Sequence, residues 1–282
     1  MENNELRWFG KVLSPELTEV SIVILSDLHY GNPYCSVKHF QRTVDFIKNT
    51  ANCYCFLNGD LLEAVTKLSR GDIYKQKTTP QEQRDKVIKL LQPLIGKVLG
   101  VTIGNHEQRI YNETGVDLMA DIAEALDAPY RPEGMLYKLS FGKGNSRHDD
   151  KPYVFWGYLT HGYGGARTKS AKAVKVERTA GMLHADFYAM SHDHTVNVAP
   201  SIYLMPDNRG TIDDKGFLSG RVIAHREMLV KTNAFLKFGG YAEMGGFPPS
   251  DLTTPIVQLI TTKSKLWEMY PDKPRQAVKV IV

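Results

Sequence analysis

The stretch ILSDLHYG, residues 24–31, places an acid and a histidine directly after the hydrophobic run VSIVIL, residues 20–25. In an extended chain, residues i and i+2 point to the same side, so Asp27 and His29 can converge on one point beyond the strand. The stretch therefore predicts a buried strand that carries metal-binding side chains at its carboxyl end. Taken alone, an Asp-x-His pair is also typical of a turn or a helix N-cap.

The same arrangement recurs at other strand-like runs. Residues of metal-binding type follow four of them: Asp60 after CYCFL, Asn105 and His106 after KVLGVTI, His161 after PYVFWGYLT, and His192 and His194 after ADFYAM. In open α/β sheets the loops at the carboxyl ends of strands line one crevice. Each residue alone could be a turn residue or a buried histidine, but the joint pattern predicts a single metal site.

The composition argues against a disulfide-rich or membrane-spanning protein. The chain has 282 residues, a formal net charge of +4 and three cysteines, a number that leaves one unpaired under any disulfide scheme. Cys53 and Cys55 lie in an apolar run and are interpreted as buried, reduced thiols. The first residues, MENNELRW, lack the pattern of a signal peptide, and no apolar run is long enough to span a membrane. We expect a soluble, cytoplasmic protein without a membrane partner.

Strand-like and helical segments alternate through the first two thirds of the chain. Helices are predicted over SVKHFQRTVDFIKNT with Ser36 as cap, over TPQEQRDKVIKLLQPLI, and over TGVDLMADIAEALDA. The second has a capping box, with Thr79 at the cap, Pro80 at the first helical position and Glu82 three residues on. From about Val196 onward, short antiparallel strands are expected, and GKGNSRHDDK is predicted as a hairpin tip. This order predicts an α/β or α+β layered fold.

The assembled motifs resemble the signature of the calcineurin-like metallophosphoesterases: D-x-H, G-D, G-N-H-[DE], H and G-H-x-H. SDLHYG, NGD, GNHE, THG and SHDHT match it in order, between about Val20 and Thr195. The resemblance implies a four-layer αββα sandwich, with two mixed β-sheets flanked by helices and two divalent metal ions at the loop ends. We interpret residues 1–282 as one domain, with the signature core over about 20–200 and a β-rich portion over about 200–282.

The resemblance also implies roles for single residues. The first metal would be held by Asp27, His29 and His194, and the second by Asn105, His161 and His192, with Asp60 bridging both. His106 would face the substrate and, with Asp60, serve catalysis, and Asn105 would also contact substrate. One departure is that Ser191 replaces the glycine that usually precedes the last histidine pair.

The residue types themselves indicate which metal is bound. Carboxylate, imidazole and amide ligands without thiolate suit manganese first, with iron, zinc or nickel as alternatives. A bridging carboxylate lets two dications lie about 3.5–4 Å apart, which suits in-line displacement at phosphorus.

The substrate class is predicted less directly. GNHE also occurs in protein serine/threonine phosphatases, but those enzymes have V-D-R-G after their GD motif, where this chain has LLEAV. The forms SDLHYG and NGDLLE look more like phosphodiesterases, so a phosphodiesterase of nucleotides or nucleic acid is favoured. The alternatives are a phosphomonoesterase or protein phosphatase, and a non-catalytic metal-binding interaction module.

Other charged segments have two interpretations each. The basic segment ARTKSAKAVKVER, residues 166–178, is either a solvated helix face or a substrate contact. Arg109, three residues past His106, is a candidate phosphate ligand or the partner of a nearby acid. The remaining histidines match no motif: His39, His148, His184 and His225. The glycine-rich segment FGGYAEMGGFPPSD, residues 238–251, is interpreted as a turn-rich cover over the cleft.

Overall fold

The computed structural model describes residues 7–69, 73–145, 151–244, 246–271 and 274–282. The strands are β1 Trp8–Val12, β2 Glu19–Leu25, β3 Cys53–Asn58, β4 Val98–Thr102, β5 Met135–Phe141, β6 Tyr153–Thr160, β7 Phe187–Met190, β8 Asn197–Ile212, β9 Leu218–Lys231, β10 Ile256–Ile260 and β11 Ala277–Ile281. The helices are α1 Val37–Asn49, α2 Pro80–Leu91, α3 Asn105–Thr114, α4 Leu118–Ala125, α5 Lys169–Ala180 and α6 Tyr241–Met244, with short 3₁₀ turns at Gln92–Leu94 and Lys265–Met269.

The strands form two mixed sheets. The first has the order β11-β10-β2-β3-β4, in which β2, β3 and β4 are parallel and β10 runs antiparallel to β2. The second has the order β1-β5-β6-β7-β9-β8, in which β6, β7 and β9 are parallel and β8 runs antiparallel to β9.

Alternation along β2 shows how the layers stack. Ile22 and Ile24 pack between the two sheets, whereas Val23 and Leu25 face the helices on the outer side of the first sheet. A third apolar cluster, with Val176 of α5 and Tyr188 of β7, lies on the outer side of the second sheet. Three cores therefore separate four layers, and the predicted αββα sandwich of two mixed sheets is confirmed.

Most predicted elements are present. The capping box of α2 forms, with the Glu82 amide donating to Thr79 Oγ1 at 3.3 Å and the Thr79 amide donating to Glu82 Oε2 at 2.9 Å. Ser36 precedes α1 but its side chain does not cap the helix. Cys53 and Cys55 are buried free thiols, and burial raises the pKa of Cys53 to about 11. Across the described ranges, no helix is long and apolar enough to cross a membrane.

Two expectations about the C-terminal third need correction or restriction. The strands after Val196 are antiparallel as predicted, but β8 and β9 are 16 and 14 residues long rather than short. Pro200 and Pro206 are tolerated within β8 because an edge strand has one side without ladder hydrogen bonds. The predicted hairpin joins β5 to β6, which are antiparallel, although part of its tip lies outside the described residues.

Candidate metal centre

The cluster is built where the parallel strands of both sheets end. Loops after β2 and β3 carry Asp27, His29 and Asp60, and α3, which follows β4, begins with Asn105 and His106. Loops after β6 and β7 carry His161, His192 and His194. Seven of these eight side chains place ligand atoms in three overlapping groups: Asp27 with His29 and His194, His29 with Asp60 and His106, and Asp60 with His161 and His192. Within each group the atoms lie within 4.8 Å of one another.

The distances define two ends of one site. At one end, His194 Nε2 lies 3.1 Å from Asp27 Oδ1 and 3.1 Å from His29 Nε2. At the other end, His161 Nε2 lies 3.1 Å from Asp60 Oδ2. The same Asp60 Oδ2 is 3.9 Å from His29 Nε2, so this carboxylate lies between the two ends.

The backbone at the cluster is strained. The described ranges contain seven non-glycine residues with positive φ, and five of them belong to the cluster: Asp27, His29, Asp60, His192 and His194, with φ between 50° and 69°. Each such residue costs on the order of 1–3 kcal/mol and persists only where its surroundings fix it. The strain coincides with the functional candidates rather than with ordinary turns.

Two glycines let the loops after β3 and β4 approach each other. A Cβ built on Gly104 would lie 2.1 Å from the Asp60 amide nitrogen, and one on Gly59 would lie 2.4 Å from the Gly104 nitrogen. No side chain fits between them, so the G-D and G-N-H motifs need glycine to bring Asp60 and His106 together.

Whether the residues present fit a metal ion can be tested on their unpaired atoms. Asp27 Oδ1, His161 Nε2 and His192 Nδ1 are buried, and none has a hydrogen-bond partner among the described residues. An unpaired buried polar atom costs roughly 1–3 kcal/mol. Their convergence fits divalent cations, and a carboxylate and imidazole donor set suits manganese, iron or zinc.

Hydrogen bonds to neighbouring carbonyls fix the histidine rings. His161 Nδ1 donates to the Asn58 carbonyl at 2.7 Å, which leaves Nε2 facing Asp60. His192 Nε2 donates to the Gly164 carbonyl at 2.6 Å, which leaves Nδ1 as the ring nitrogen that can bind a metal ion. Such outer contacts orient metal-binding histidines in known sites.

The electrostatics keep both carboxylates ionised. Burial alone would raise the pKa of Asp27, but the adjacent His194 outweighs burial and lowers the pKa to about 2. Burial would also raise the pKa of Asp60, but the charge of the adjacent His161 outweighs burial, so the pKa of Asp60 lies well below the usual range. Burial would likewise lower the pKa of His161, yet the adjacent Asp60 charge raises it to about 10.

Two acids that sequence reasoning passed over support the cluster. Glu63 Oε2 lies 3.3 Å from His29 Nδ1, and the Glu63 carbonyl lies 2.5 Å from His106 Nδ1. Glu107 is fully buried and accepts the amides of Asp60 and Leu62 at 3.0 and 2.8 Å. In the sequence, Glu63 is the final residue of NGDLLE and Glu107 is the final residue of GNHE, so both motifs already contained these acids.

Ser191 has a clear role in place of the usual glycine. Its Oγ accepts a hydrogen bond from Asn58 Nδ2 at 2.6 Å and from Thr232 Oγ1 at 2.9 Å. Asn58 Oδ1 in turn accepts from Thr102 Oγ1 at 2.8 Å. This buried network joins the two sheets directly beneath the cluster.

Asp193, between the two histidines of the last motif, is held by lysines. Its carboxylate pairs with Lys175 and Lys231, each at 2.7 Å, while Lys172 Nζ donates to its carbonyl at 2.9 Å. Lys231 is completely buried, and burial lowers its pKa against the opposing effect of Asp193. The loop that carries His192 and His194 is thereby fixed to α5 and β9.

These contacts correct the interpretation of the basic helix. α5 forms as expected and Thr168 caps it, but Lys172 and Lys175 face inward to Asp193. For these two lysines, neither a solvated face nor a substrate contact is right. Arg167, Lys169 and Arg178 remain exposed.

The two predicted substrate ligands lie on α3. Asn105 is the first residue of this helix, is exposed, and precedes His106, whose amide donates to Asp60 Oδ1 at 2.9 Å. Arg109 is half-buried one turn later, on the side of the helix that Asn105 occupies. It makes no ion pair with any acid in the described part of the chain. The roles of both residues stay predictions.

The other histidines lie away from the cluster. His39 packs on Phe235 with ring centroids 5.3 Å apart. His225 cannot reach the site, because it precedes Met228, which pairs with the first residue of β7, at the opposite end of that strand. His184 stacks on Tyr203 near His225, and His148 lies outside the described residues.

The glycine-rich segment touches two loops that flank the cluster. Cβ atoms on Gly239 and Gly240 would collide with the ring of Tyr34, and the Arg167 guanidinium lies 5.7 Å from the Phe247 ring centroid. Tyr34 follows the His29 loop and Arg167 follows the His161 loop. These contacts do not test whether the segment covers the cleft, so its role as a cover stays a prediction.

Comparison with known proteins finds solved structures that resemble this chain, but no matching family model or curated protein. A conserved protein of Streptococcus pneumoniae, described as a predicted phosphoesterase, is 12% identical with a TM-score of 0.37, covering 86% of this chain and 84% of that one. Wild-type Vps29 of Entamoeba histolytica, complexed with zinc, is 10% identical with a TM-score of 0.35, covering 93% and 98%. GAP50 of Plasmodium, described as the anchor in the inner membrane complex, is 11% identical with a TM-score of 0.44, covering 86% and 81%.

These identities and TM-scores are too low to transfer an activity or a site. The resemblance to the calcineurin-like metallophosphoesterases rests on the signature motifs of this chain.

Proposed function

We propose that the protein is a metal-dependent phosphoester hydrolase, and more narrowly a phosphodiesterase that acts on a nucleotide or nucleic acid through a dinuclear metal centre. The observation that carries the proposal is that two groups of potential metal ligands lie side by side, one around Asp27 and the other around His161, with the Asp60 carboxylate between them. The proposed ligands are Asp27, His29 and His194 for one ion, Asn105, His161 and His192 for the other, and Asp60 for both. Manganese is the first candidate, and iron, zinc or nickel are the alternatives.

Bound dications would polarise the phosphoester and supply an activated water. The chain's own residues would position the phosphoester. Arg109, on the exposed side of α3 near Asn105, could hold a phosphate oxygen through its planar guanidinium.

His106 is the proposed proton donor to the leaving oxygen. Its Nδ1 lies 2.5 Å from the Glu63 carbonyl, which fixes the ring, and its amide binds Asp60. A ring held by its Nδ1 presents Nε2 to the cleft, where it can hydrogen-bond a phosphoester oxygen. Because a ring nitrogen of His106 also lies within 4.8 Å of ligand atoms of His29 and Asp60, metal content has to be measured alongside activity.

The test is hydrolysis of bis-p-nitrophenyl phosphate and of the monoester p-nitrophenyl phosphate with added manganese. We expect turnover that EDTA abolishes and manganese restores, and faster cleavage of the diester than of the monoester. Faster cleavage of the monoester would favour the phosphatase alternative. Tight metal binding without turnover of either compound would favour a non-catalytic interaction module, and the absence of both would reject the proposal.

A further inference from the structure

The paired strands β8 and β9 extend far beyond the sheet that contains them. Among the described strands, β8 pairs with β9 alone, and β9 pairs with β7 only from Met228 to Lys231. Residues 201–227 therefore form a two-stranded arm, closed by a turn at residues 213–217. At about 3.3 Å per residue, the arm is roughly 35 Å long. Isolated two-stranded ribbons are at best marginally stable in water.

The two faces of the arm differ in composition. Directly paired residues share a face, so Leu204 with Ala224, Pro206 with Val222, and Ile212 with Leu218 form one apolar face. The large side chains on this face are strongly exposed: Ile202 57%, Leu204 69%, Ile212 70%, Leu218 74% and Val222 63%. The glycine pair Gly210 and Gly220 lies on the same face, between Val222 and the tip. The arm is thus one layer of a sandwich with its apolar side in solvent.

The opposite face carries most of the polar residues of the arm, although the pair Met205 and Ile223 also lies on it, and it fixes the base of the arm to the body. Tyr203 stacks between His184 and His225, with ring centroids 4.7 and 4.8 Å away, and His225 Nε2 lies 3.6 Å from Asp186 Oδ1. Further out, the hydroxyls of Thr211 and Ser219 bond at 3.1 Å. The arm is therefore anchored through its polar side, and the apolar side has no partner in the described part of the chain.

The open edge of β8 is protected against strand addition. Proline cannot donate to a neighbouring strand, so Pro200 and Pro206 turn their nitrogens to the open edge and interrupt its row of donors. A partner that covers the arm has to pack on its apolar face rather than extend the sheet.

We propose that this partner is a second copy of the chain, whose arm packs face to face and antiparallel on the first. An apolar face without a central charge is complementary to itself, and two-fold pairs are the commonest assemblies of identical chains. A standard interface buries about 800 Å² on each partner, and the ribbon offers five large side chains that are 57–74% exposed toward it. In the antiparallel arrangement each body lies beyond the other arm's tip, so the two bodies do not collide.

Charge complementarity supports this orientation. Arg226 is the charged residue at the base of the apolar face, opposite Ile202. Asp213, Asp214 and Lys215 lie in the exposed turn at the tip, where two negative charges and one positive charge leave a net charge of −1. The two-fold axis brings Arg226 of one copy to Asp214 of the other, twice per dimer. A parallel arrangement would place the same charges side by side.

The test is sedimentation of the full-length protein over 1–100 µM, concentrations chosen to span about micromolar affinity. We expect a particle of twice the 31.8 kDa chain mass, and a monomer at all concentrations would overturn the proposal. Leu204→Asp with Val222→Asp should give a monomer, whereas Ile95→Asp, at a 54% exposed site in the loop before β4, should stay dimeric. A dimer that tolerates the double substitution would place the interface elsewhere.

A charge swap tests the orientation. Arg226→Asp should weaken the dimer at least tenfold, and adding Asp214→Arg should restore it. Failure of the second change to restore affinity would reject the antiparallel arrangement. Hydrogen exchange of the unaltered protein is independent of variant folding: amides of residues 201–227 should gain protection as concentration rises, and unchanged exchange would contradict the dimer. The arm leaves the sheet at the end opposite the cluster, so neither outcome depends on the proposed function.

Discussion

At the scale of the residue, the cluster combines strain with unpaired atoms. Asp27, His29, Asp60, His192 and His194 all adopt positive φ, a conformation that side chains avoid unless the surroundings compensate. The unpaired Asp27 Oδ1 and His161 Nε2 add a further cost. A bound cation is the natural compensation for both, because it pairs the orphaned atoms at the positions that the strained backbone creates.

His106→Ala is the residue-scale test of catalysis. Loss of a proton donor should lower kcat for the diester by roughly 100-fold or more, with metal content unchanged. His184→Ala, at an exposed histidine outside the cluster, serves as the matched control. If His106→Ala loses metal and His184→Ala does not, His106 is a metal ligand and the assigned role is contradicted.

Ser191→Gly tests the buried hydroxyl beneath the cluster. It restores the residue usual in the signature but leaves Asn58 Nδ2 and the Thr232 hydroxyl without their acceptor. We expect the free energy of unfolding to fall by about 1–3 kcal/mol in urea denaturation. Ser191→Ala, which keeps the Cβ, should lose a similar amount, and a fully stable Ser191→Gly would show that the network contributes nothing.

The sequence predicts the clustered residues well because each follows a strand whose hydrophobic run is readable locally. Asp193 and its lysines illustrate what it cannot predict. A lysine in a basic helix reads as solvated, and only the packing of α5 against the loop after β7 turns Lys172 and Lys175 inward. Long-range packing, rather than local pattern, decides the direction of such side chains.

At the scale of the element, the loop after β7 is the joint between β7, α5 and β9. Asp193→Asn would leave Lys231 buried without its counter-charge, which typically costs about 3–5 kcal/mol. Urea unfolding should show this loss. The matched control is Asp207→Asn, which removes a pair with the exposed Arg209 on the arm and should change stability little. Equal effects of the two substitutions would contradict the structural role of the buried pair.

Element prediction succeeds where periodicity is strong and fails where it is weak. α2 has a capping box and an apolar stripe, and both were readable. α3 was not predicted, because NHEQRIYNET has few apolar residues and buries only Glu107 and Ile110. The length of β8 was underestimated because its prolines and glycines are typical of turns, whereas a ribbon free on one edge accommodates them.

At the scale of the whole molecule, the cluster joins the two sheets. Asp27, His29 and Asp60 come from one sheet, and His161, His192 and His194 from the other, so cations held between them should stabilise the folded state. With manganese at 100 times its dissociation constant, the free energy of unfolding should rise by about 2.7 kcal/mol for each site. Asp60→Asn should abolish the rise, and Asp45→Asn, on the exposed side of α1, should not. A melting temperature insensitive to manganese and EDTA would argue against a site that spans the sheets.

The most direct test is an anomalous-difference map from a crystal soaked in manganese. We expect two peaks in the cleft, one contacting Asp27, His29 and His194 and the other contacting Asn105, His161 and His192, with Asp60 contacting both. A map with no peak among these residues, or with manganese bound only elsewhere on the protein, would contradict this expectation.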